Sequence, residues 1–158
     1  MLSYQNSIVK TSVRKLVEFF LRSGDIETGS SLVSDPEAMQ EGSRLHRKIQ
    51  RSKKAGYRSE VPLKVSWRRD DYELVLEGRA DGIDSAEYED GDARDENESA
   101  VRRVPLIDEI KCVYKDVRQI EEAEPLHLAQ AKCYAYMHAG PAGHKDVLVQ
   151  ITYCNMET

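Results

Sequence analysis

Two acids and a lysine carry the chemistry that this chain could do. The segment Val104-Pro105-Leu106-Ile107-Asp108-Glu109-Ile110-Lys111-Cys112 enters on apolar residues and then sets Glu109 and Lys111 two apart. A strand repeats every two residues, so both side chains share one face and Asp108 points to the other, in a structural or substrate-side role. A carboxylate beside an ammonium suits a hydrated divalent cation plus a phosphoryl oxygen, because oxygen ligands hold Mg²⁺ or Mn²⁺ and lysine adds positive charge. A lone Glu-x-Lys is more often an exposed ion pair of little consequence. Here a second apolar segment, Leu74-Val75-Leu76-Glu77-Gly78-Arg79-Ala80-Asp81-Gly82-Ile83, brings another carboxylate, Asp81, at a strand bend beside Gly78.

The elements that must position these groups follow from periodicity. Val13, Leu16, Val17, Phe20 and Leu21 recur at helical spacing, which predicts a helix over 12–22 with Thr11 or Ser12 as its cap and Gly24 as its stop. Asp35-Pro36 opens a second helix that turns Met39, Leu45 and Ile49 toward the core. Its solvent side carries His46 with the bases Arg44, Arg47, Lys48 and Arg51, followed by Lys53 and Lys54. Such bases are either a solvated face or contacts for phosphates.

Val61, Leu63, Val65 and Trp67 alternate as in a strand, and Arg69-Asp70-Asp71 turns the chain into a hairpin with 72–76. Residues 85–103 are acidic and poor in apolar side chains, which predicts a mobile surface loop. Pro125 precedes a helix over 126–138, on which His127, Gln130 and Tyr134 form one stripe. Gly140-Pro141-Ala142-Gly143 breaks it, and Val147, Val149 and Ile151 alternate in a last strand. The expectation is one domain over 1–158, with an N-terminal helix and linker (1–34) and a core (35–158).

Composition narrows the classes. A hydrophobic share of 40% with 32% charged residues is that of an ordinary globular chain. No apolar run reaches membrane length and the first residues lack a signal-peptide core, so the sequence predicts a cytoplasmic protein with no membrane partner. The net charge of −5 argues against nucleic acid only at first sight. Seven acids and one base lie between Ser85 and Ser99, and without that stretch 22 bases face 21 acids. The three cysteines, Cys112, Cys133 and Cys154, lack a C-x-x-C pair and indicate neither a disulfide framework nor a zinc site.

Gly78 and Asp81, then Glu109 and Lys111, then Gln130 and Tyr134, with His46 in the upstream Gly42-Ser43-Arg44-Leu45-His46, resemble in type and order the motifs of the PD-(D/E)XK nuclease superfamily, in particular its RecB-like branch. Ala80 stands where the superfamily pattern has proline, a departure that removes no ligand. The stretch from Thr11 to Ile26 also looks like the opening of nuclease domains at the front of DinG-type helicases.

The resemblance implies an α/β, restriction-endonuclease-like αβββαβ core with a mixed sheet flanked by helices. It implies Mg²⁺ or Mn²⁺ held by His46, Asp81, Glu109 and the Ile110 carbonyl. Lys111 would steady the attacking water or the developing charge, Gln130 would hold the lysine or the water, and Tyr134 would contact DNA. Some RecB-like nucleases carry a four-cysteine iron–sulfur cluster; with three cysteines, none is expected. The implied partners are DNA, as single strands or ends, and a helicase domain or subunit. The rival expectation is a nucleic-acid-binding module of a helicase complex that keeps the fold but cuts poorly.

Overall fold

The computed structural model describes residues 7–21, 36–89 and 101–156. In chain order they form β1 (Ser7–Ser12), α1 (Val13–Phe20), α2 (Pro36–Ser52), β2 (Arg58–Arg68), β3 (Tyr72–Glu89), β4 (Val101–Val113), a 3₁₀ turn (Val117–Gln119), α3 (Pro125–Ala142) and β5 (Leu148–Asn155). Among the described residues the strands make one mixed five-stranded sheet. From α2 to β5 the order is αβββαβ, and the fold is α/β and restriction-endonuclease-like; β1 and α1 precede this core.

The long strand β3 organises the sheet. β2 runs antiparallel along one of its sides, from Arg68 opposite Glu73 to Arg58 opposite Ile83. On its other side β1 lies parallel to residues 72–77, and β4 lies antiparallel to residues 82–89. Residues 78–81 of β3 therefore have no strand neighbour on that side among the described residues. β5 extends the sheet beyond β4 in parallel.

One face of the sheet carries α1 and α3. Val13 and Val17, Leu76, Ala80 and Ile83, Ile107, and Tyr134 with Met137 form a single buried cluster there. Ser12 caps α1, its hydroxyl accepting from the Lys15 N–H at 3.1 Å, as the sequence predicts. α3 starts at Pro125, whose missing N–H would be unpaired there in any case. It runs on through Gly140 and Pro141 and ends at Gly143, left-handed at φ 75°, whose N–H reaches the carbonyls of Ala139 and Gly140. Pro141 sits in the last turn, so it ends the helix just beyond itself rather than before it.

α2 covers the opposite face and runs along β4. The Cys112 thiol lies 3.7 Å from the Gly42 carbonyl, His46 meets Ile110 one turn later, and Lys53, just past the helix end, meets Asp108.

Several expectations need correction. β1 was not foreseen: its SIVKTS sequence is mostly exposed, and backbone pairing to β3 holds it rather than burial. The ends of the acidic stretch are not loop. Residues 85–89 continue β3 and 101–103 begin β4, with Glu87 opposite Arg103 and Tyr88 opposite Arg102. Arg103 lies 3.9 Å from Glu87, and the Arg102 guanidinium stands 5.8 Å over the Tyr88 ring. Such cross-strand pairs stabilise a ladder that apolar content would not predict. Met39 points out, 57% exposed, whereas Leu45 is buried. Gly24, Asp35 and the middle of the acidic stretch lie outside the described residues. Among the described residues no helix is long and apolar enough to cross a membrane.

Two glycines are set by close approach. A Cβ on Gly78 would meet the Tyr134 ring at 2.6 Å, so this glycine makes room for a side chain of the domain itself. A Cβ on Gly82 would fall 1.8 Å from the Tyr57 hydroxyl. That hydroxyl donates to the buried Asp108 at 2.8 Å, so Gly82→Ala must displace Tyr57 and strip Asp108 of a partner. Overpacking and a lost buried hydrogen bond should together cost about 2–4 kcal/mol in urea unfolding; an unchanged midpoint would contradict this packing.

Candidate active site

The facing of β3 slips by one residue at the site. Gly78 and Ala80 face the α1–α3 layer, and so does Ile83, three residues on, whereas Gly82 faces Tyr57 on the α2 side. A regular strand would put residues 80 and 82 on one face. The slip falls at Asp81, immediately before the β3–β4 ladder begins at Gly82 and Asp108. Freed from alternation, the Asp81 side chain lies between the diverging strands. Its Oδ2 accepts the Ile110 N–H at 2.7 Å, doing for β4 what a strand carbonyl would otherwise do.

His46 closes the same space from α2. Its Nε2 donates to the Ile110 carbonyl at 2.6 Å and lies 4.0 Å from Asp81 Oδ2. It is thus not on the solvent side of α2, where the sequence reading placed it. Helical spacing gives the reason: positions 46 and 50 lie four apart on the inward stripe, while 44, 47, 48 and 51 share the outward one.

Glu109 and Asp108 show how differently the two faces of β4 treat a carboxylate. Asp108 is fully buried and fully served: it accepts from Tyr57, from Thr152 at 2.7 Å and from Gln150 at 3.3 Å, with Lys53 at 3.7 Å. That is a structural carboxylate. Glu109, 6% exposed on the opposite face, pairs one oxygen with Lys111 at 3.3 Å and leaves Oε2 without a hydrogen-bond partner. Buried polar atoms are nearly always paired, so an orphan carboxylate oxygen calls for an explanation. Burial, then the charge of Asp81, pushes the Glu109 carboxyl from an ordinary 4.5 up to about 8, against the pull of Lys111. Burial also raises Asp81, although the Ile110 N–H favours its anion.

α3 supplies the remaining wall. Gln130 is buried and its Oε1 has no partner, a second orphan oxygen. One turn later Tyr134 is also buried; burial, then the Glu109 charge, pushes its phenol up to about 12. His127 does not face open solvent: its Nδ1 lies 2.9 Å from the Tyr153 hydroxyl, and burial followed by the Lys111 charge holds it below the usual histidine range.

Of the predicted site residues, His46, Asp81, Glu109, Ile110 and Lys111 meet at the fork, with Tyr134 close enough to feel the carboxylates. The basic set divides. Arg47, Lys48, Arg51 and Lys54 are exposed. Arg44 is exposed but tied to Glu41 at 2.6 Å, and Lys53 turns inward to Asp108 and the Tyr57 ring. Sequence reasoning missed Gln50, which bonds the Asp81 backbone, and Tyr57, which holds Asp108. The available signal is spacing: Gln50 lies one turn after His46, so once His46 faces inward Gln50 does too.

Among the described residues no three His, Cys, Asp or Glu side chains form a ready-made metal cluster. The donor set nonetheless fits a hard divalent cation. It combines two carboxylates, one with an orphan oxygen, an imidazole and a backbone carbonyl, donor types that such an ion takes, although the His46, Asp81 and Glu109 side chains do not converge as a ready-made cluster.

No family model and no curated protein matches the chain. Among solved structures the crystal structure of SSO0001 is similar, with a TM-score of 0.55 at 18% sequence identity over 96% of this chain and 65% of that one. This likeness shows the fold alone.

The raised Glu109 carboxyl has a consequence for stability. The folded metal-free protein holds that proton up to about pH 8, whereas the unfolded chain releases it near 4.5. The associated stability is complete below that lower pH and is lost as pH rises to about 8, by on the order of 2–4 kcal/mol. Melting curves of the metal-free protein should therefore shift downward across this window, and Glu109→Gln should flatten the decline. An equal decline in the variant would contradict the assignment.

Proposed function

We propose that this chain is a Mg²⁺- or Mn²⁺-dependent deoxyribonuclease that hydrolyses phosphodiester bonds in single-stranded DNA or at DNA ends, acting with a helicase domain or subunit. The observation that carries the reading is the buried, half-unsatisfied Glu109 sharing a strand fork with Asp81 and a lysine. The motif resemblance to RecB-like nucleases agrees with it, as does the restriction-endonuclease-like fold.

Asp81, Glu109, His46 and the Ile110 carbonyl would hold the ion, which would replace the His46–Ile110 hydrogen bond and leave the imidazole proton on Nδ1. Bound there, it supplies Lewis-acid polarisation of the scissile phosphate and makes a nearby water more acidic. The chain's own groups do the rest by position and charge, which is most of what phosphoryl transfer asks of a protein. Lys111, held by Glu109, presents its ammonium to the charge that develops on the phosphate. The Gln130 Oε1, without a partner, can accept from the attacking water and orient it. Tyr134 stays neutral at working pH and can donate to a phosphate oxygen. Arg47, Lys48, Arg51 and Lys54, on or just past the exposed side of α2, would hold the strand through its phosphates in a salt-dependent way.

Asp81→Asn and Glu109→Gln should each abolish cleavage of a single-stranded oligonucleotide and weaken Mn²⁺ binding in calorimetry. Lys111→Ala should still bind Mn²⁺ while kcat falls about 10²-fold or more. Because Glu109 must lose its proton to serve as a ligand, Mn²⁺ affinity should climb with pH toward about 8 and level off above it. Full metal-dependent cleavage by Asp81→Asn would refute the proposal. Salt-sensitive DNA binding with no cleavage at any Mn²⁺ concentration would leave a binding module instead.

A further inference from the structure

We propose that Gln50 is a positioning residue of this site, the clamp that fixes how far Asp81 stands from His46. The geometric part is independent of function; the effect on metal affinity rests on the nuclease reading.

Gln50 lies one turn after His46 on α2 and is 8% exposed. Its Nε2 donates twice, to the Asp81 carbonyl at 2.8 Å and to Glu60 Oε1 at 2.9 Å. These two acceptors belong to the rung that the β2–β3 ladder omits, between Ser59 opposite Gly82 and Val61 opposite Ala80. At that same rung Glu60 takes φ 53°, a left-handed backbone in a residue that is not glycine. Strained backbone persists where surroundings hold it, and at this rung the Gln50 amide ties the Glu60 side chain to the Asp81 carbonyl. The slip that turns Asp81 into the fork thus coincides with a local break in pairing that a side chain from α2 fills.

The residue type suits the task. One amide nitrogen offers two donors without adding charge beside carboxylates that already resist ionisation. Leucine would fill the space and leave the Asp81 carbonyl unpaired, while glutamate would set a further anion against Glu60. Since His46 and Gln50 share the inward stripe of one helix, a clamp on Asp81 through Gln50 also sets the 4.0 Å between the His46 ring and the Asp81 carboxylate.

The test uses the metal-free and Mn²⁺-loaded chain with Gln50→Leu, with Gln50→Met of matching length should the first not fold, and with Glu60→Gln, which keeps an acceptor oxygen. Amide hydrogen exchange by NMR reads the Asp81–Ile110 bond directly, and calorimetry reads Mn²⁺. The Ile110 amide should exchange at least tenfold faster in the Gln50 variant, while the Ile83 and Ile107 amides keep wild-type rates. The Mn²⁺ dissociation constant should rise at least tenfold, and Glu60→Gln should stay near wild type in both. Unchanged Ile110 exchange overturns the proposal, as does an equal loss of protection across the sheet, which would mark Gln50 as merely structural. Selective loss at Ile110 in a protein that binds no Mn²⁺ in its wild-type form would uphold the clamp and sink the metal reading.

Discussion

The hydrogen bond from the Ile110 N–H to the Asp81 carboxylate is the interaction on which the site depends. Two neighbouring strands in a sheet ordinarily satisfy each other along their length, leaving no place for chemistry. Here β3 and β4 part at Gly82 and Asp108, and a side chain takes over the pairing on one backbone group. A charge-assisted bond of this kind is worth about 1.5–3 kcal/mol, enough to offset part of the cost of burying the carboxylate and to fix its direction. The Ile110 carbonyl remains for His46, so one peptide unit receives a group from β3 and another from α2.

Two consecutive carboxylates on β4 then differ in how fully they are satisfied. Asp108 is buried more deeply than Glu109 yet meets four partners and is a closed structural node. Glu109 is left short of one, and its neighbour Asp81 makes the shortage worse. Removing a carboxylate from water without full compensation costs several kcal/mol, and such groups cluster at functional sites. The period of two that separates these faces is the same period that puts Lys111 beside Glu109. Polar satisfaction thus distinguishes the two acids, where residue type alone does not.

Much of this was legible in sequence where periodicity was strong. The alternation of Val61 to Trp67, the Glu109–Lys111 spacing and the helix carrying Gln130 and Tyr134 each follow from a repeat that burial enforces. What escaped lacked such a repeat. β1 is mostly exposed, and its order comes from backbone pairing with a strand more than sixty residues away. The acidic stretch hid strand ends because Glu87 and Arg103 attract each other only once the hairpin has brought them together. The slip at Asp81 has no composition signal beyond its flanking glycines, and those serve Tyr134 and Tyr57, which no local rule connects to them. His46 and Lys53 face inward rather than to solvent for a simpler reason: a charged or polar residue turns inward when a buried acceptor waits there.

The central claim is that Asp81, Glu109, His46 and the Ile110 carbonyl share one divalent cation. Anomalous diffraction from crystals grown with Mn²⁺ tests it most directly. The account predicts a single strong Mn²⁺ peak in the fork, at about 2.0–2.3 Å from both carboxylates, the imidazole and the carbonyl oxygen. A fork without manganese at saturating concentration, or a peak bound elsewhere while Asp81 keeps its bond to Ile110, would contradict it.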